Sequence, residues 1–279
     1  MREGSVDPTR GIVFDIETIR HPDLRKWLGT DEKVARLEGL PVEDLLEVAQ
    51  RNEIAMGKMV NLEPIYNKVK AHFEDQYRKA ALKQYGAQIC TIAAKNVVGA
   101  VDDLAVIREG GTLAEQTGYQ PPIVWTADDK WSERDIIAKF LKYIFEEDTH
   151  IMLIGFNIRG TAPGRKGFDI PMLRARCAVL ELPWPTQLPR NLSEDRHHDR
   201  HLFDICDVFG EGSCDSWLRM CQLPVKTASG GDVQNMTPQE RAEYCANDVE
   251  LERLLAGLVM QTQPPRISDM LWSNDPNED

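Results

Sequence analysis

A chain of 279 residues, 42% apolar and 28% charged, has the make-up of a globular protein with ample core. Its 45 acids outnumber 33 Lys and Arg for a net charge of −12, which excludes a protein that coats nucleic acid by bulk positive charge but not one that grips a few nucleotides locally. Nowhere do about 18 apolar residues run together, and the polar start MREGSVDPTR has no apolar stretch behind it, so the sequence predicts no membrane span, no signal peptide and a cytoplasmic location.

The first element is GIVFDIETIR, residues 11 to 20, an apolar strand that ends in Asp15 and Glu17 around one isoleucine. Alternate strand residues share a face, so the two carboxylates stand side by side. Their repulsion calls for a positive partner or a bound proton. Residues 22 to 85 then turn charged and rich in Leu, Lys, Glu and Ala, with apolar spacing near three and four that predicts two to four helices. AQICTIAAKNVVG reads as a strand, a turn-rich stretch follows it, and PPIVWTA reads as another short strand.

WSERDIIAKFLKYIFEE opens with Ser132 and Asp135 at capping-box spacing and sets Ile136, Ile137, Phe140, Leu141, Ile144 and Phe145 on one broad face, which predicts an amphipathic helix. HIMLIGFN reads as a buried strand, FDIPMLRARCAVLEL as a helix closed by Pro183, HLFDICDVF as a further strand and SCDSWLRMCQLP as a short helix. The last helix is TPQERAEYCANDVELERLLAGLVM, with Thr237 as its cap, Pro238 at the first helical position and Glu240 completing a capping box. Strands alternating with helices predict an α/β fold with helices packed on a central sheet. The expected organisation is one domain over residues 1–262, with 22–85 as a helical insertion inside it and 263–279 as a loosely held acidic tail.

The six cysteines are scattered with no CxxC pair and read as reduced packing thiols. A zinc site from Cys206 or Cys214 with His197, His198 or His201 lacks ligand spacing.

Three segments supply carboxylates where a sheet would present its strand ends: Asp15 with Glu17, Asp169 at the start of a helix, and Asp248, four residues after Tyr244 on one helix face. Singly, each has an ordinary explanation. A DxE after a strand is commonly solvated, Asp169 suits a helix N-terminus, and Asp248 fits an exposed helix face.

In order, FDIET, the Asn157-to-FD segment and the Tyr244-to-Asp248 helix resemble the three motifs of the DnaQ-like (DEDD) superfamily of 3′-to-5′ exonucleases, in its DEDDy form. HLFDICDVFGEGSCDSWLRMCQLPVK looks like the stretch before the last motif in stand-alone exonucleases similar to the proofreading domain of family-B DNA polymerases. The likeness covers residues 11–19 and roughly 87–258. It implies an RNase H-like fold with a mixed five-stranded sheet flanked by helices. It also implies two divalent ions, Mg²⁺ or Mn²⁺, held by Asp15, Glu17, Asp169 and Asp248, with Tyr244 orienting the attacking water. Such ions would relieve the repulsion at Asp15 and Glu17 and let a phosphate enter an acidic pocket.

The implied activity is release of nucleoside 5′-monophosphates from the 3′-OH end of DNA, with single-stranded or frayed ends favoured because paired bases must first be unstacked. A 3′-to-5′ exoribonuclease is the runner-up, and a non-catalytic nucleic-acid-binding or scaffold module with the same fold is the reading from another class. On the substrate side stand Asn157 and Phe168 of the second motif. Thr18 either contacts the terminal nucleotide or bonds locally. Lys226, at a place where similar proteins have a lysine, either holds a phosphate or faces solvent. The chain departs from the family pattern where IRGTAPGRKG separates Asn157 from Phe168 and Asp169. That insert, with Arg159, Arg165 and Lys166, is either a basic loop on the substrate backbone or a plain surface extension.

Overall fold

The computed structural model describes residues 11–57, 61–79, 86–116, 118–145, 151–159, 167–186, 188, 201–228 and 230–262. The chain divides into two compact units, one holding the described residues 11–17 and 89–262 and the other residues 18–88.

Five strands make one mixed, open sheet: β1 (Gly11–Arg20), β2 (Ala87–Asn96), β3 (Ile123–Thr126), β4 (Met152–Gly155) and β5 (Leu202–Asp204), in the order β3-β2-β1-β4-β5. β1 pairs parallel to β4 with Ile12 opposite Leu153, β4 pairs parallel to β5, and β2 pairs antiparallel to β3. The central strands are apolar on both faces. Val13, Phe14, Ile92 and Leu153 are wholly buried, as strands covered on both sides require.

The helices that belong with the sheet are α5 (Ala100–Arg108), α6 (Glu133–Phe145), α7 (Asp169–Val179), α8 (Cys206–Phe209), α9 (Cys214–Met220) and α10 (Pro238–Thr262). The capping box that opens α6 forms as the spacing predicts: Ser132 N–H donates to Asp135 Oδ2 at 2.9 Å and Asp135 N–H to Ser132 Oγ at 3.3 Å. Its apolar face is buried from Ile136 to Ile144. Glu133, one residue on, takes the Arg176 guanidinium of α7 in a buried two-point ion pair at 2.7 and 2.6 Å, and the same carboxylate accepts Ile89 N–H at 2.7 Å. One acid thus ties two helices to β2.

α10 is buried almost all round from Tyr244 to Ala256, so its charges need internal partners. Glu250 pairs with Lys95 and accepts the Tyr119 hydroxyl, both at 2.6 Å, while Arg253 pairs with Asp103 of α5 and donates to the Asn96 carbonyl at 2.8 Å. Gly257 permits the closest approach, since a Cβ there would lie 2.5 Å from the Ala100 carbonyl oxygen.

Residues 18–88 form the second unit, with helices α1 (Leu24–Trp27), α2 (Thr30–Ala35), α3 (Val42–Arg51) and α4 (Leu62–Lys79). Leu37, Leu45, Ala49, Ile65, Val69 and Phe73 form its own apolar core.

Three expectations are corrected. The stretch after β2 contains α5, whose start follows Gly99 at φ +79°. The strand expected over HLFDICDVF stops at Asp204, because that side chain accepts Cys206 N–H at 3.1 Å and turns the chain into α8. β4 ends at Gly155, two residues before Asn157, which sits at φ +64°. The tail 263–279 lies outside the described residues. Among the described residues no helix is long and apolar enough to cross a membrane.

Candidate metal centre

β1 delivers Asp15 and Glu17 to one side of the sheet through its two-residue period, and α10 delivers Asp248. Each offers an oxygen, and the three oxygens lie within 4.8 Å of one another. Glu17 is 8% exposed and Asp248 fully buried. Asp169, the first residue of α7 and also buried, stands outside this trio but feels the charge of Asp15.

Acids so crowded resist ionisation. Burial first, then Asp15 and Asp248, hold Glu17 well above the usual carboxylate range. Burial, then Asp15 and Asp204, do the same for Asp169. Asp248 is pushed up to about 6 by burial and by Asp15, against hydrogen bonds from Lys226 and Tyr244 that favour its charge. Lys226 Nζ lies 2.5 Å from Asp248 Oδ2. Burial opposes the Lys226 charge, yet Asp15, Asp248 and Glu252 together hold it above the usual lysine range. Lys226 is thus neither a solvent-facing side chain nor a distant one. Its backbone N–H is anchored on Asp215 Oδ1 at 3.1 Å. Burial, then the Asp248 and Glu17 charges, raise the Tyr244 phenol, which stays a neutral donor.

The residues fit a divalent cation. The donor set is all oxygen, as hard cations require, and Asp248 Oδ1 is buried with no hydrogen-bond partner. Among the described residues, the trio is the group of three His, Cys, Asp or Glu side chains placed to share an ion. Cys206 and Cys214 are buried free thiols, while His197 and His198 lie outside the described residues.

The second-motif insert closes at a neck. Phe168 N–H donates to the Asn157 carbonyl at 3.1 Å and Ile170 N–H to the Ile158 carbonyl at 3.2 Å, so the two halves of the motif meet despite the residues between them. Arg159 is tied to Asp207 at 2.6 Å, whereas Arg165 and Lys166 lie outside the described residues. Thr18 follows Glu17 on β1 and is 9% exposed.

Two acids at the site escape sequence reasoning. Asp204 takes three backbone donors, Asn157 N–H at 2.7 Å, Arg159 N–H at 3.0 Å and Cys206 N–H at 3.1 Å, and so fixes the turn that leads to Asp169. Glu252, one turn beyond Asp248, is buried and accepts Phe156 N–H at 3.1 Å. Burial, then Asp15, keep it well above the usual range. Its four-residue spacing from Asp248 was the available signal. Asp204 had none, because its partners are backbone groups. No protein-family model, curated protein or solved structure matches the chain.

Proposed function

We propose that the chain is a metal-dependent 3′-to-5′ exonuclease of RNase H-like architecture, similar to the DnaQ-like DEDDy enzymes. The observation that carries this reading is the convergence of Asp15, Glu17 and Asp248 within 4.8 Å, from segments more than 200 residues apart in the chain. Asp169, buried at the start of α7, stands outside the trio but within reach of the Asp15 charge. Asp15, Glu17, Asp248 and Asp169 would hold divalent cations, which would supply Lewis acidity at the scissile phosphate and a lowered pKa for the attacking water. The Tyr244 hydroxyl, neutral and donating to Asp248, orients that water by accepting a hydrogen bond from it. Lys226 places a fixed positive charge beside the position of the phosphate. Water adds to phosphorus, the bond to the 3′-oxygen of the preceding nucleotide breaks, and a nucleoside 5′-monophosphate leaves. A strand end has to thread to a pocket whose acids are buried, which favours single-stranded or frayed ends, DNA first and RNA as the alternative.

One observation favours a second reading. The Lys226 ammonium already neutralises Asp248, as suits a module that binds nucleic acid without turning it over. The test is shortening of 5′-labelled single- and double-stranded DNA and RNA, with 3′-OH or 3′-phosphate ends, in Mg²⁺, Mn²⁺ or EDTA. The nuclease reading expects stepwise loss from 3′-OH ends that stops in EDTA and in Asp15→Ala. Strands that bind yet never shorten in either metal establish the second reading.

A further inference from the structure

We propose that the end of β1 and α1, within the helical unit, form a stacking platform for single-stranded nucleic acid. The inference deepens the nuclease reading by naming where a strand is gripped, and it rests on that reading only for the strand's fate.

Four observations within residues 18–88 carry it. Trp27 is 57% exposed, whereas tryptophan usually gains from burying its large ring. The indole does not hang loose: it stacks on His21 with centroids 4.3 Å apart and planes 26° from parallel. His21 is itself fixed, since its N–H donates to the Gly86 carbonyl at 3.0 Å and its Nδ1 accepts Asp23 N–H at 3.2 Å. A rigid ring backed on one side and open on the other is built to receive a flat partner.

In the same unit the Arg20 and Arg25 guanidiniums lie 4.7 and 5.1 Å from the Tyr77 ring centroid. Arg25 is paired with Glu74 at 2.7 Å and Asp31 at 2.5 Å, and Lys26, which precedes Trp27 in α1, is exposed. Residues 20–36 carry five cations (Arg20, Arg25, Lys26, Lys33, Arg36) against three acids (Asp23, Asp31, Glu32), with Glu74 a fourth acid brought in by its pair with Arg25, a slight local excess of positive charge in a chain whose net charge is −12.

An exposed aromatic face on a segment with more cations than acids matches the chemistry of a nucleobase on its sugar-phosphate chain. The base stacks and the phosphates are neutralised. An apolar protein partner would be served by the ring but not by the cations.

The test uses the full chain and a 5′-fluorescein-labelled 12-nucleotide oligo(dT) in EDTA, where no turnover occurs and the acidic centre repels phosphate. Anisotropy titrations compare wild type with Trp27→Ala, Trp27→Phe and, as an exposed apolar control, Met220→Ala. Thermal melts check that each is folded. Trp27→Ala is expected to weaken binding by about 5- to 150-fold, the span of base–aromatic stacking. Trp27→Phe should keep most of the affinity, and Met220→Ala all of it. Lys26→Ala should lower the slope of log K against log salt by about 0.7. A dissociation constant for Trp27→Ala within twofold of wild type, or no binding by wild type, overturns the platform. Trp27-dependent binding by a protein that never shortens a strand in Mg²⁺ or Mn²⁺ leaves the platform standing and removes the nuclease reading. Strand shortening with Trp27-independent binding does the reverse.

Discussion

The Lys226 ammonium lies 2.5 Å from Asp248 Oδ2, a fixed cation set against a buried carboxylate of the acidic trio. Removing it in Lys226→Met leaves Asp15, Asp248 and Glu252 facing one another without their counter-charge. Breaking a buried pair is costly, and Lys226 is about a quarter exposed, so the expected loss in EDTA at pH 7.5 is about 3 kcal/mol, the low end of the usual range. Urea unfolding measures it. Mg²⁺ or Mn²⁺ should restore more stability to the variant than to wild type, because metal and ammonium address the same carboxylate.

Stability without metal should fall as pH rises from about 4 to about 6. Glu17, Asp169, Asp248 and Glu252 all have raised values in the folded protein, so the folded state binds more protons than the unfolded state across this window. Asp248 alone, moved from 3.8 to about 6, contributes about 3 kcal/mol that is lost once pH exceeds its folded value. Asp135 and Glu240 act in the opposite sense: hydrogen bonds to Ser132 and Thr237 hold them below the usual range, so what they contribute is lost as pH falls below about 4. Melting curves in EDTA should therefore peak near pH 4. Mg²⁺ or Mn²⁺ should raise the midpoint at pH 7.5 and barely move it at pH 5. Equal stabilisation at both would contradict the account.

Burial, then Asp15, hold the Glu252 carboxyl well above the usual range, and it accepts Phe156 N–H. Glu252→Gln keeps that acceptor and the shape, and it removes the drive to ionise, so it should be at least as stable as wild type at pH 7.5. Glu252→Ala strands the Phe156 N–H and opens a void, costing about 2–4 kcal/mol. Denaturant midpoints for the two, side by side, separate a structural acceptor from a group whose charge is needed.

Much of this was legible in local spacing. A period of two put Asp15 beside Glu17, a period near 3.6 put Tyr244 over Asp248, and the capping boxes at Ser132 and Thr237 marked where α6 and α10 begin. What escaped depends on partners remote in sequence. α5 buries Asp103, which reads as a surface acid until Arg253, 150 residues on, is placed against it. Asp204 also captures backbone donors from Asn157 and Arg159, in another segment. The residues between Asn157 and Phe168 separate two positions in sequence that the Phe168 N–H to Asn157 carbonyl hydrogen bond brings together.

The helical unit departs from β1 and rejoins β2 where His21 N–H meets the Gly86 carbonyl at 3.0 Å. A unit whose two ends meet at one hydrogen bond adds residues without stretching any connection of the sheet. Its interior can lengthen, shrink or change sequence while the strand register that seats Asp15 and Glu17 is left alone.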